Sequence, residues 1–485
     1  MSKEKFLLKA KEIAEFIKEA SKNERFLLFS HYDADGLTSV GILSSALYRE
    51  GFPFQVRIFR QLEEDFLKEV KLFRDGVIIF SDFGSGQLSL MKKHIAKDRR
   101  IVVLDHHTPE DVELDNVYHL NPHLYGIDGS TEISSAGIAY LVAKYINEEN
   151  KDLAAYAIVG AIGDNQDKGK QNSLIGLNQE IITKDAIEAD VLEISKGFTI
   201  FGRETRPVHI AIEYCTDPYI PEISGNRNNI LKLLKELGIP IKDSEGNWRT
   251  LASLSTEETK KLVSALISHM YHLGASSDEM RAIVGTIYTL KKERKKSPLR
   301  DAREFATLLN SCGRMSKPEL GVAIILGDRE ENYRAALNTY NTYKQQISKA
   351  LSWLYENRNK IEEYSHVQYF HGGRKINENI VGTVASIALS SRLVKPDKPL
   401  IGFAEGDDGT IKVSARTVSR LIKVGVSLAK ALKAAADEIN SPYVAGGHDI
   451  AAGARIPKGS EEKFVLAVNK AIKRQLEEFK QRAGK

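Results

Sequence analysis

His31, Asp33 and Asp35 place one imidazole and two carboxylates within a five-residue stretch. These are hard to borderline donors with no thiolate among them, a set suited to a divalent cation of the Mn²⁺ or Mg²⁺ kind. Asp82, then Asp105-His106-His107, then Gly163-Asp164 repeat the same donor types further along the chain. Five carboxylates, Asp33, Asp35, Asp82, Asp105 and Asp164, exceed what one ion needs, and gathered together they would repel one another strongly. Two cations resolve that crowding. A pair ~3.5–4 Å apart can clamp both the attacked phosphoryl oxygen and the leaving oxygen, so phosphoester hydrolysis is the expected reaction class.

These donors meet only if the elements that carry them converge. Residues 26–29, 77–80 and 101–104 are short apolar runs that read as buried strands, and each ends in one of the acidic groups. In an open parallel sheet the C-terminal ends of the strands open into the ligand crevice. For each stretch alone the alternative is a polar turn in which an Asp caps the next helix. Three such tips in succession argue for a shared site. Residues 3–22 and 38–49 have helical spacing, and 54–59 and 116–120 read as further strands. A helix is expected from near Ser134, where Ser134-Ser135-Ala136-Gly137 could offer backbone N–H groups, that of Ser135 included, to an anion; an ordinary Ser-capped helix is the alternative. Residues 153–162 form an Ala-rich apolar helix, at whose end Asp164 reads equally as a site ligand or as a turn residue.

At 485 residues the chain is long enough for roughly three domains. A net charge of +4 with 28% charged residues demands no polyanion partner overall, so any nucleic-acid surface must be local. The two cysteines, Cys215 and Cys312, exclude a disulfide framework and a cysteine-rich zinc module, and fit a reducing cytoplasm. No apolar run approaches the ~18 residues of a membrane span, so a soluble cytoplasmic protein without a membrane partner is expected. Residues 172–290 change to helical spacing with no strand ending in an acid, and His269 and His272 there lack carboxylates at ligand spacing. The basic run 291–303 reads as a solvated linker or as a phosphate-tracking stripe. A long helix over 332–362 is fit to bridge two lobes, and strands return at 367–370, 400–404 and 410–414. Gly446-Gly447-His448 then opens a glycine-rich loop in which backbone can approach a phosphate and a histidine can donate to it, with Lys412 and Arg416 on or beside a nearby strand. A substrate held between the lobes would set its scissile phosphate at the cations and a neighbouring phosphate against Arg416 and His448.

With His31-x-Asp33-x-Asp35, Asp82, Asp105-His106-His107, Gly163-Asp164, Asn310-x-x-Gly313-Arg314-Met315 and Gly446-Gly447-His448 assembled, the chain resembles the DHH phosphoesterase superfamily and, within it, the RecJ-like exonucleases. The resemblance implies an α/β protein: an N-terminal parallel-sheet DHH domain (1–190), a mostly helical insertion (191–300), a connecting segment with a long linker helix (301–365), and a C-terminal α/β DHH-associated domain (366–485). It implies that His31, Asp33 and Asp82 hold one metal, that Asp35, Asp82, His106 and Asp164 hold the other, and that Asp82 bridges. Asp105 would orient the histidines beside it, and His107 would contact the scissile phosphate. Arg416 and His448, with Lys412, Gly446, Gly447, Arg314 and Ser135, are the nucleic-acid contacts it suggests. The insertion looks like that of archaeal RecJ-like GINS-associated nucleases, which degrade single strands and bind the GINS complex of the replicative helicase. They are related to a eukaryotic helicase subunit that has lost its metal ligands, whereas here every ligand position is filled. The expected activity is a two-metal exonuclease on single-stranded DNA, with RNA also in reach and 5′ to 3′ polarity on DNA. Three alternatives stand beside it: a replisome scaffold, a small-nucleotide phosphoesterase, and an aspartyl-phosphate phosphatase, since Asp33-x-Asp35 after a strand also resembles the haloacid-dehalogenase nucleophile.

Overall fold

The computed structural model describes residues 2–60, 62, 64–70, 75–95, 99–443 and 445–483. The chain forms two compact units, Met1–Cys215 with Pro221–Tyr340, and Thr216–Ile220 with Asn341–Lys485.

In the first unit α1 (Ser2–Lys18) precedes β1 (Phe26–His31), α2 (Ala34–Arg49), β2 (Phe54–Phe59), α3 (Glu64–Val70), β3 (Val77–Ser81), α4 (Leu88–His94), β4 (Arg100–Leu104) and β5 (Val117–Leu120). The five strands make one parallel sheet in the order β2-β1-β3-β4-β5. Its central strands are near-continuous apolar runs because both faces are covered. Leu27, Phe29, Ile78, Phe80, Ile101 and Val103 meet Leu67, Val70, Leu88 and Met91 on one face. Leu28, Ile79 and Val102 alternate to the other face, where α1, α2 and α5 (Ser135–Ile146) pack. The winding reverses between β1 and β3, the topological switch point at which a crevice opens beyond the strand ends.

The helix expected from residue 38 begins four residues earlier, because Asp33 accepts from Gly36 N and caps α2 in an extended conformation. The cap and the acidic strand tip, posed above as alternatives, are the same residue. α2 is buried on all sides from Ala34 to Leu47, as befits a helix enclosed by others. After α5 come α6 (Ala154–Gly163) and α7 (Lys184–Glu188).

The region 191–300, expected to be mostly helical, opens and closes on strands. β6 (Leu192–Phe198) pairs antiparallel with a second strand that follows α8 (Val208–Glu213), α9 (Arg227–Glu236), α10 (Thr256–His272) and α11 (Ser277–Arg281), namely β7 (Val284–Leu290). Its alternating Ile287 and Thr286 suit a pleated surface. Ser255 and Glu258 form the capping box of α10, and His269 donates to Pro221 O, a structural role. The basic run 291–303 is tied down: Lys291 pairs with Asp190, Arg303 with Asp167, and Arg300 donates to Glu293 O. α12 (Ala302–Arg314), capped by Asp301, and α13 (Pro318–Ile325) pack on α2.

The long helix α14 (Glu331–Glu356) ends six residues short of expectation. The second unit then builds a six-stranded sheet from β8 (Glu362–Glu363), β9 (Gln368–His371), β10 (Leu400–Glu405), β11 (Thr410–Arg416), β12 (Ala445–Gly447) and β13 (Ala451–Pro457), with α15 (Val381–Ser390), α16 (Ser419–Ile422), α17 (Leu428–Glu438) and α18 (Glu461–Ala483). Its core joins Ile401, Phe403, Val413 and Ile456 to Leu432, Phe464 and Val468. Gly446 and Gly447, expected in a loop, lie in an edge strand paired with Gly453 and Ala452. The turn begins at His448, whose N–H donates to Ala451 O.

Candidate metal centre

Asp82 follows β3 directly and occupies the left-handed backbone region (φ 64), an uncommon place for a side-chain-bearing residue. Both of its carboxylate oxygens are buried and, among the described residues, accept no hydrogen bond. One lies 3.5 Å from His31 Nδ1, the other 3.4 Å from His106 Nε2. His31 Nδ1 also lies 3.0 Å from Asp33, and His106 Nε2 lies 3.7 Å from Asp35. Asp82 thus stands between two donor groups, His31 with Asp33 from the end of β1 and the cap of α2, and His106 from beyond β4 with Asp35 from the first turn of α2.

His106 Nδ1 is 2.7 Å from Gly129 O, so that nitrogen carries the proton and Nε2 is left facing the carboxylates. Asp164 caps the C-terminal end of α6 and lies 3.7 Å from His106, on the Nδ1 side. Asp35 is held differently: Ser135 N and Ala136 N donate to its two oxygens at 2.8 and 3.0 Å. The anion that the start of α5 receives is therefore the protein's own carboxylate, with the N-terminal dipole favouring its charge. Ser135 is fully buried beside it.

Asp105 and His107 form a separate pair. His107 donates twice to Asp105, from Nδ1 at 2.8 Å and from its backbone N–H at 3.1 Å, and Ser85 N takes the other oxygen at 2.9 Å. Asn121 donates to His107 O and to Ser85 Oγ, and Ser85 Oγ meets His119. The His107 side chain remains 46% exposed while Asp105 is buried.

The charges record this crowding. Burial pushes His31 and His106 down, yet the surrounding carboxylates outweigh it and hold both imidazoles well above their ordinary range. Burial and the Asp82 charge push Asp35 well up, whereas the two imidazoles pull Asp82 well down against its own burial. Burial and His106 push His107 down, but Asp105 outweighs both; Asp105 itself is held at about 2 by His107 despite burial. A site this negative calls for positive charge at its centre. Divalent cations meet that need, and the unbonded oxygens of Asp82 with inward-facing His106 Nε2 fit them. His31, Asp33 and Asp82 offer ligand atoms within 4.8 Å of one another, and so do Asp82, His106 and His107.

Sequence reasoning missed the supporting residues: Gly129, Gln166, Ser85, Asn121, and Asn310, whose Oδ1 accepts from Ala34 N beside Asp33. Of these only Asn310 carried a signal, as part of the segment ending in Arg314. Arg314 is half-buried at the end of α12. Lys412, Arg416, Gly446, Gly447 and His448 belong to the second unit, where Arg416 Nε donates to Ser386 Oγ. Lys412 stands opposite Arg455, and Arg416 opposite Ala451.

Comparison with known proteins places the chain in a family. Residues 25–163 match the DHH family N-terminal domain, 200–284 the DHH-CID domain and 364–476 the DHHA1 domain. An uncharacterized protein of Methanocaldococcus jannaschii is 31% identical, with 93% of each chain covered. Among solved structures, RecJ from Thermus thermophilus in complex with Mn²⁺ aligns at TM-score 0.59 and 17% identity, over 96% of this chain and 55% of RecJ. CDC45 from Entamoeba histolytica aligns at TM-score 0.63 and 11% identity, over 96% and 99%. At these identities the two structures speak for the fold alone. Three consecutive domain matches, one relative along nearly the whole length and a donor set closed around Asp82 establish that this chain belongs to the DHH family of phosphoesterases, with a RecJ-like architecture.

Proposed function

We propose that this chain is a two-metal-dependent exonuclease that hydrolyses single-stranded DNA, and RNA as well, with 5′ to 3′ polarity on DNA. The observation that carries the reading is Asp82, buried, unbonded at both oxygens and flanked on each side by an imidazole and a further carboxylate. Mn²⁺ or Mg²⁺ held there would supply Lewis-acid polarisation of the phosphoryl group and a nucleophile at neutral pH. The chain's own groups do the rest. Asp82 fixes the spacing of the two donor sets. His107, kept protonated by Asp105 and open to solvent, donates to a non-bridging phosphate oxygen and neutralises charge gained in the transition state. Asp105 is restrained by Ser85 and His107, so the imidazole is aimed before substrate arrives. In the second unit, Arg416, Lys412 and the Gly446-Gly447-His448 strand and turn grip the strand near its end, with Arg314 as a further phosphate contact.

Single-turnover cleavage of an end-labelled oligonucleotide tests this. Asp82→Asn is expected to lower the rate by about 10³-fold, since an oriented electrostatic partner of the reaction is lost. Undiminished cleavage by that variant would refute the site. The same assay, run on DNA and RNA labelled at either end with each ion, reads polarity and preference.

The resemblance noted above supplies a second reading, a replisome scaffold, with the GINS complex as its partner in replication or repair. Capture of GINS by the Asp82→Asn chain as well as by the wild type would show tethering to be independent of hydrolysis.

A further inference from the structure

Gln166 is fully buried two residues beyond Asp164, where Asn165 adopts the left-handed region (φ 57) and turns the chain back. Every polar atom of its amide is used. Nε2 donates to Gly129 O at 2.8 Å and to Asp164 Oδ2 at 3.1 Å, and Oε1 accepts from Asn178 Nδ2 at 2.7 Å. Those partners fix which way the amide faces. Turned over, its oxygen would meet a carbonyl and a carboxylate, and its NH₂ would meet the NH₂ of Asn178.

The Gly129 carbonyl that receives Gln166 also receives His106 Nδ1–H. Gly129 can bring its carbonyl so close only because it lacks a side chain: a Cβ there would run into the His106 carbonyl oxygen. One buried amide therefore restrains two ligands that reach the site from different elements, His106 from the tip of β4 and Asp164 from the end of α6. Among the described residues these four bonds join Gln166, Gly129, His106, Asp164 and Asn178, apart from the contact that His31 and Asp33 make with each other.

We infer that Gln166, through Gly129, is the positioning residue of one cation site alone: it holds His106 with Nε2 turned toward Asp82 and aims Asp164, while the His31–Asp33–Asp82 site stands without it. The inference rests on the two-cation reading above. Outer partners of metal-ligating histidines set ring orientation, and their loss weakens binding by about 10–100-fold.

The test is Mn²⁺ titration of the full chain, followed by electron paramagnetic resonance, for the wild type, Gln166→Met, Asp164→Ala and the double variant. The wild type is expected to bind two equivalents that give the spectrum of a coupled pair. In Gln166→Met one equivalent keeps its affinity, the other weakens about 10–100-fold, and the coupled spectrum gives way to that of isolated ions. In the double variant the same single equivalent weakens while the other keeps its affinity, since both changes act on one site. In cleavage assays kcat falls and KM for the oligonucleotide holds. Should Gln166→Met fail to fold, Asn178→Ala, which frees Oε1 while leaving Gln166 in place, carries the same expectation at smaller size. Two equivalents unmoved by the substitution, or both weakened alike, would overturn the role given to Gln166. A wild type that binds fewer than two equivalents would overturn the two-cation reading, and this inference with it.

Discussion

Glu304 shows how far a single side chain here departs from its ordinary chemistry. It is buried in the first turn of α12, where burial and the nearby Asp301 push its carboxyl up to about 7, although Glu204 N and Thr205 donate to it. A carboxyl raised in the folded state binds its proton more tightly there than in the unfolded chain. Its contribution to stability is complete below the ordinary glutamate range and is lost as pH rises through about 7, a swing of up to about 3 kcal/mol. Glu304→Gln, which mimics the protonated form, is expected to unfold at a higher temperature than the wild type near pH 8 and at the same temperature near pH 4, as calorimetry would show. Nothing in the sequence around residue 304 announces this, because the groups that bond it, Glu204 N and Thr205, lie about a hundred positions away. The same limit hid Gln166 and Gly129. By contrast His31, Asp33, Asp82 and Asp105 were legible, since each sits within four residues of the end of an apolar run and the strand-end rule places it without any knowledge of neighbours.

Among the elements, α12 governs the shape of the β1–α2 turn. Asn310 accepts from Ala34 N, and Gly313 lies so close to Tyr32 that a Cβ would strike its carbonyl oxygen. Asn310→Ala is expected to cost about 1–3 kcal/mol by leaving that amide unsatisfied. Gly313→Ala is expected to cost a similar 1–3 kcal/mol and to weaken Mn²⁺ binding at the His31–Asp33 side, because backbone facing backbone yields little. Denaturant unfolding and metal titration separate the two effects. The start of α2 was misplaced from sequence for a local reason: an Asp-Ala-Asp-Gly run reads as a turn until Asp33 is seen to close the cap. The glycine pair at 446–447 was misread in the opposite direction, because pairing with β13 decides its state and composition does not.

At the scale of the whole molecule, metal donors and basic strand belong to different units, so their substitutions should have separable signatures. Arg416→Ala is expected to weaken single-strand binding about equally across sequences and to lower its salt dependence by about one counterion, with Mn²⁺ binding unchanged. Fluorescence anisotropy over a salt series measures this. Chelation is expected to abolish cleavage and to lower the unfolding temperature of the first unit, since ligand at 100-fold over its Kd contributes about 2.7 kcal/mol per site. The parallel sheet and its strand order follow from alternating apolar runs and helices, which is why the first unit was readable in outline. The strands β6 and β7 were not, because they pair with each other across a long intervening stretch.

The two amides of α5 that close on Asp35 make the metal donors unequal in what they cost to lose. His31 or Asp82 could be exchanged in some cousin that has given up hydrolysis, and its fold would stand. Asp35 could not be exchanged so cheaply, because the beginning of a central helix would be left with stranded donors. An aspartate retained at that position in a silent relative would then be a relic of architecture, and the residues at 31 and 82 would tell working enzymes from retired ones.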